Sequence, residues 1–248
     1  MVSQPLRCSD VRAPMDHCQP VRLAKVYEVV RQTGRWLIPA RCLLCSSAAC
    51  PPGVDLCQLC MADLPAAPAW TADVVPLSGV FCAWGYEYPI DRLVRALKFH
   101  GDRSVAGALG ALLAMHVADR CVPLPEVLVP VPLHPLRLRE RGYNQADEIA
   151  RHLAGRLSLR RLPRALERIR ATAPQSQLPA AQRRSNLAGA FNVPARMVAT
   201  VAGVDVALID DVLTTGSTAQ SAAQALLEAG ARRVELWALA RSGGDASS

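Results

Sequence analysis

Val206-Ala-Leu-Ile-Asp-Asp-Val-Leu-Thr-Thr-Gly-Ser-Thr218 decides the fold of this chain. Its first four residues are an apolar run of strand length, which predicts a buried strand. Two adjacent carboxylates follow, Asp210 and Asp211, then Val212 and Leu213. The stretch closes in a turn of small, hydroxyl-rich residues: Thr214, Thr215, Gly216, Ser217 and Thr218. Beyond it, Ala219, Ala222, Ala223, Leu226 and Leu227 recur at helical spacing until Gly230, and Val234 to Leu239 forms another apolar run. The order is strand, acidic pair, small-residue turn, helix, strand.

Those parts suit a phosphorylated sugar. The carboxyl end of a strand in an open α/β sheet delivers its side chains into the crevice where such sheets bind ligands. A turn of small residues exposes backbone N–H groups, and the helix N-terminus behind it adds a positive dipole, so a phosphate fits there. The hydroxyls add donors. The carboxylates accept from sugar hydroxyls or hold a metal through water. An ordinary βα turn, with Asp211 or Thr215 capping a helix, is the plainer alternative. The full arrangement of thirteen residues favours a ligand site.

Upstream, strand and helix alternate from residue 80 onward, which predicts an α/β fold with a mostly parallel sheet flanked by helices. Val80 to Tyr86 reads as a strand and Pro89 to Phe99 as a short helix carrying Lys98, one of only two lysines. Ser104 caps a helix running to about Arg120, and Val127 to Pro132 is a second buried strand. Leu133 to Gln145 reads as a mobile basic loop, with Arg137, Arg139 and Arg141 alternating before Gly142. Asn144 and Gln145 lead into a helix through about Leu157, and His134 reads as a loop or structural histidine.

Nearer the N-terminus, Cys42-Leu-Leu-Cys45 and Cys57-Gln-Leu-Cys60 form two CxxC pairs eleven residues apart. Two such pairs converge on one tetrahedral metal, with Pro51, Pro52 and Gly53 turning the chain between them. Zinc is the expected ion, ahead of an iron–sulfur cluster or unligated thiols. Four cysteine ligands leave no open position for a catalytic water, so the zinc is expected to be structural. Cys50 is a spare that could replace a ligand.

The apolar fraction of 51% suffices for a large core, while aromatics make up 4%. The formal charge is +7, and residues 137–184 alone hold twelve arginines against four acids. Such a segment fits a polyanion, either pyrophosphate-bearing or nucleic acid, or else a solvated arginine-rich face. No run of 18 apolar residues and no signal-peptide core occurs, so a cytoplasmic location without a membrane span is expected. The expected organisation is 1–20 as a disordered segment or residues upstream of a start near Met15, 21–65 as a helix (Val21 to Trp36) plus zinc ribbon, and 66–79 as a Pro/Ala-rich connector. Residues 80–241 would then be the α/β domain and 242–248 a tail.

The thirteen residues resemble the phosphoribosyl pyrophosphate (PRPP) motif of type I phosphoribosyltransferases. The resemblance implies that Asp210 and Asp211 bind the ribose hydroxyls and that Thr214 to Thr218 hold the 5′-phosphate. The order of four-cysteine ribbon, Val-Pro-Val-Pro-Leu strand, Arg139-Glu-Arg-Gly-Tyr-Asn-Gln145 and PRPP motif resembles the ComF/GntX family. Gln175, Leu178, Arg183-Arg-Ser-Asn186 and Ala190-Phe191 agree with it. That family is associated with natural competence and DNA uptake, and with gluconate use in another branch.

The resemblance implies a type I phosphoribosyltransferase-like sheet with an N-terminal four-cysteine zinc ribbon, binding PRPP with Mg²⁺. Arg137, Arg139 and Arg141, with Lys98, would face the pyrophosphate. The chemistry would be substitution at the anomeric carbon, helped electrostatically by Asp210 and Asp211. The rival expectation is a non-catalytic accessory of DNA uptake, with single-stranded DNA or competence proteins as partners and the PRPP site a remnant or a sensor. Aromatics for base stacking are few, Tyr143 being the one in the basic segment's first loop.

Overall fold

The computed structural model describes residues 41–48, 50–51, 53–68, 75–99, 103–120, 122–170 and 189–243. The expected helix over Val21 to Trp36, the start near Met15, and Gln175, Leu178 and Arg183 to Asn186 lie outside them. The strands are β1 (Gly79–Gly85), β2 (Val127–Pro130), β3 (Arg160–Arg161), β4 (Glu167–Arg168), β5 (Phe191–Asn192), β6 (Asp205–Leu213) and β7 (Arg233–Arg241). The helices are α1 (Gln58–Ala62), α2 (Ile90–Phe99), α3 (Arg103–Ala118), α4 (Pro135–Arg141), α5 (Gln145–Leu157), α6 (Ala195–Val201) and α7 (Ser217–Glu228).

Five strands form one sheet in the order β1-β7-β6-β2-β3, and every neighbouring pair is parallel. The hairpin β4–β5 is separate and antiparallel. The central strands are buried on both faces, as a parallel sheet covered by helices requires. In β6, Val206 and Leu208 join one apolar cluster with Phe191 and the α7 residues Ala222, Ala223 and Leu226. Ala207 and Ile209 join the other, with Leu97, Leu113, Ile149 and Leu153 from α2, α3 and α5. The alternation is the period of two that a strand imposes.

β6 runs four residues past the apolar stretch. β7 lies beside it throughout, pairing Asp210 with Ala238, Val212 with Ala240 and Leu213 with Arg241, so the acidic pair lies within the strand. Helices α3 and α5 approach closely at Gly110, where an added Cβ would stand 2.8 Å from the Cβ of His152 and 3.1 Å from the Ile149 carbonyl. The ribbon shares the core. Val54, Leu56, Cys42 and Cys57 are buried in the cluster that holds Trp84, Ile90 and Leu153, and Arg156 of α5 donates to the Gly53 carbonyl.

Leu133 to Gln145 corrects the expectation of a mobile loop, because residues 135–141 are helical. His134 is the N-cap, its Nδ1 accepting from the Leu136 N–H at 3.3 Å. Pro135 stands at the start of the helix, where its missing N–H costs nothing. Gly142 ends the helix at φ 79°, a left-handed conformation suited to glycine. The helix buries none of its residues, which is why no apolar period betrays it.

Candidate functional site

A cavity of about 400 Å³ opens at the carboxyl ends of β2 and β6. Asp210, Asp211, Thr214, Gly216 and Thr218 line it, together with Lys98, Arg137, Arg141, Gln145 and Arg168. The acidic pair, the small-residue turn and the cations from α2 and α4 therefore meet at one place, although they come from separate parts of the chain.

The pleat turns the two carboxylates toward different partners. Asp211 is 5% exposed, and its Oδ2 lies 3.0 Å from Nζ of Lys98 at the end of α2. Its Oδ1 accepts from the Val212 N–H at 2.7 Å. Asp210 accepts from the Asp211 N–H at 2.9 Å. Burial pushes the Asp210 carboxyl up to about 7, and the charge of Asp211 adds to the rise. The Asp211 N–H, Lys98 and Arg168 oppose it. A buried carboxyl beside a like charge and lining a cavity is a candidate functional group.

The turn after β6 brings the N-terminus of α7 to the cavity. Gly216 takes φ 77° as the N-cap and, having no side chain, leaves the helix end open on that side. The Thr215 and Ser217 hydroxyls lie 2.9 Å apart and bond to each other, while Thr214, Gly216 and Thr218 face the cavity. The dipole of α7 sets partial positive charge behind this turn.

The basic residues divide by helix geometry. Arg137 and Arg141 are four apart, share one face of α4 and line the cavity. Arg139, two positions from each, is exposed and lies outside the cavity lining. Arg141 donates from Nη1 to Oε1 of the buried Gln145 at 2.6 Å.

Arg168 on β4 is a cavity residue that the sequence reading did not single out. Its guanidinium stacks 5.5 Å from the centre of the Phe191 ring, and burial lowers its ordinarily very high pKa, with Arg137 adding to the effect. Its one signal in the sequence is membership of the arginine-rich segment. Ala190 and Phe191 are both buried, so Phe191 serves as the platform under Arg168.

The second centre is the cysteine cluster. The sulfurs of Cys42, Cys45, Cys57 and Cys60 all lie within 4.8 Å of one another, and those of Cys45 and Cys57 are 3.6 Å apart. Sulfurs around a tetrahedral metal at about 2.3 Å would stand roughly 3.8 Å apart, so the donor set fits a structural metal. Two tight turns build it. Cys42 N–H donates to the Ser47 carbonyl, Ser46 N–H to the Cys42 carbonyl, and Leu43 N–H to the Asp55 carbonyl, at 2.8, 2.8 and 3.0 Å. Burial alone would raise the Cys42 thiol, but the backbone N–H groups of Cys45, Cys57 and Leu44 outweigh it and bring it down to about 6. Cys50 is outside the cluster, its sulfur near the Ser47 carbonyl at 3.7 Å.

Sheet order, acidic strand end, small-residue turn and cysteine ribbon together define a phosphoribosyltransferase-like protein. Residues 138–247 match the family model described as the phosphoribosyl transferase domain. The chain is 40% identical over 161 residues to the DNA utilization protein YhgH of Salmonella typhi, covering 63% of this chain and 69% of that protein. It is 34% identical over 168 residues to Competence protein F of Haemophilus influenzae, covering 63% of this chain and 70% of that one. The chain belongs to the ComF family, a DNA utilization and competence family whose members carry a phosphoribosyltransferase-like domain.

Among solved structures it is similar to the glutamine PRPP amidotransferase of B. subtilis complexed with ADP and GMP, at a TM-score of 0.37 and 20% identity. That match covers 54% of this chain and 26% of the other, so the chain spans about a quarter of that enzyme's length. Among the described residues, no helix is long and apolar enough to cross a membrane.

Proposed function

We propose that the cavity at the end of β6 binds PRPP with Mg²⁺ and supports transfer of the phosphoribosyl group to an acceptor nucleophile. One observation carries this reading: both carboxylates, the open turn before α7 and the guanidiniums of Arg137, Arg141 and Arg168 line the same cavity. The turn receives the 5′-phosphate on backbone N–H groups and the helix dipole. Asp210 and Asp211 accept from the ribose hydroxyls. The guanidiniums, as planar forks matched to phosphate oxygens, take the pyrophosphate.

In the transfer, the bond from the anomeric carbon to the pyrophosphate oxygen breaks and a bond to the acceptor forms, with pyrophosphate leaving. Fixed charges aimed at the separating groups do the work. Mg²⁺, held through water by the acidic pair, would neutralise the phosphates. The four cysteines hold zinc as a structural ion whose loss would open the core around Leu56.

Calorimetric titration with Mg²⁺ and PRPP tests the binding. Heat is expected from the wild type and little from Asp210→Asn/Asp211→Asn. No heat from the wild type, or equal heat from both, refutes it.

A second reading, nucleic-acid binding in DNA use, has one observation in its favour. Arg139, Arg160 and Arg164 of the basic segment are exposed outside the cavity. Single-stranded DNA affinity that falls steeply with salt would support it, and a flat response would remove it.

A further inference from the structure

We infer that Tyr143 is a positioning residue of the cavity, its hydroxyl fixing the end of α2 so that Lys98 stands against Asp211. The inference rests on the binding reading above and adds a residue that touches no ligand.

The last four carbonyls of any helix lack an intrahelical partner. Leu97 supplies one of those in α2, two residues from the helix end at Phe99. Its side chain is fully buried, so its carbonyl sits where water is scarce and an unmet acceptor is costly. The Tyr143 hydroxyl donates to that carbonyl from 46 residues away. The next residue is Lys98, whose Nζ lies 3.0 Å from Asp211 Oδ2. The stem of Lys98 is flexible, so a fixed α2 end narrows the positions its ammonium can take.

Tyr143 is itself fixed from both sides. Gly142 before it ends α4 at φ 79°. Asn144 after it caps α5, its Oδ1 accepting from the Ala146 N–H at 3.1 Å while its Nδ2 donates to the Val131 carbonyl at 2.9 Å. The ring is 8% exposed. Gln145 then holds Arg141, so this short stretch sets two cations of the cavity, one from each direction. The motif that looked like part of a mobile loop is the fixed point from which those cations are aimed.

A double-mutant cycle on the full chain tests this, with Tyr143→Phe, Lys98→Met and the pair. Tyr143→Phe removes one oxygen and keeps the ring in its place. It is expected to weaken Mg²⁺·PRPP binding by about three- to tenfold, the size of one lost hydrogen bond. That loss should vanish in the Lys98→Met background. Thermal midpoints should show the same coupling, with the double variant destabilised by less than the sum of the singles. An equal loss in both backgrounds, or additive midpoints, would mean that Tyr143 only packs the core and would overturn the inference. A wild type that takes no PRPP defeats the binding reading alone, because the midpoint cycle still decides whether the hydroxyl acts through Lys98.

Discussion

The proposed PRPP binding should depend on pH through the Asp210 carboxyl in a calculable way. Burial, reinforced by the charge of Asp211, raises it to about 7. With that midpoint, roughly a tenth of the molecules carry the carboxylate at pH 6 and roughly nine-tenths at pH 8. If ribose hydroxyls need the ionised form, affinity rises about tenfold from pH 6 to pH 8, or ~1.4 kcal/mol. The empty protein behaves in the opposite sense. A group whose folded pKa is raised contributes stability that is fully present below the ordinary carboxylate range and lost as pH rises through about 7. The assay is calorimetric titration of wild type and Asp210→Asn at pH 6, 7 and 8. Ionisation of the ligand's own phosphates is common to both proteins, so the ratio of their affinities isolates Asp210. A ratio that stays constant across that range refutes the reasoning.

Helix α4 makes a prediction that a loop would not. Arg137→Ala and Arg141→Ala should each weaken PRPP binding about tenfold or more, whereas Arg139→Ala should change it by less than about twofold; equal losses at all three, read by the same titration, would restore the loop. Metal removal should be felt in the sheet, because Cys42, Cys57 and Leu56 share a core with Trp84 and Ile90. Elemental analysis should find about one zinc per chain, and a strong chelator should lower the thermal midpoint by ~10 °C or more. A metal-free protein with an unchanged midpoint would contradict this.

What the sequence disclosed follows from how local each signal is. β6 was legible because a strand buried on both faces reads as an unbroken apolar run, Val206 to Ile209, and α7 because one buried face leaves a spacing of three to four in Ala219 to Leu227. The cysteine pairs were legible because a tetrahedral site needs a fixed short spacing. β3, β4 and β5 have two residues each, too few to show a period, and their pairing is decided by contacts distant in sequence. α4 escaped because it buries nothing, so its three arginines looked like an alternating loop when the helix had sorted them onto two faces. Arg168 escaped because its place in the cavity depends on the hairpin and on Phe191. The ribbon's spacing was clear, but Leu56 between the cysteines gave no sign that it would enter the core of the sheet.

The pleat of β6 gives its two carboxylates unequal roles. Asp210 continues the row of Val206 and Leu208, on the face of the sheet covered by α7 and by the cluster containing Phe191. Asp211 continues the row of Ala207 and Ile209, on the face where α2 packs. Lys98 contacts Asp211 directly and also lowers the Asp210 carboxyl through space, an effect to which Arg168 adds from the other face. Neutralising Asp211 therefore strands a largely buried ammonium, a fault in the protein even without ligand. Neutralising Asp210 removes a like charge beside Asp211 and relieves the empty site. An acidic pair that reads as a repeat in the sequence thus divides into one residue that costs stability in the empty site, and one engaged in holding α2 to the strand. In the proposed complex, a ribose lying across the end of β6 would meet both.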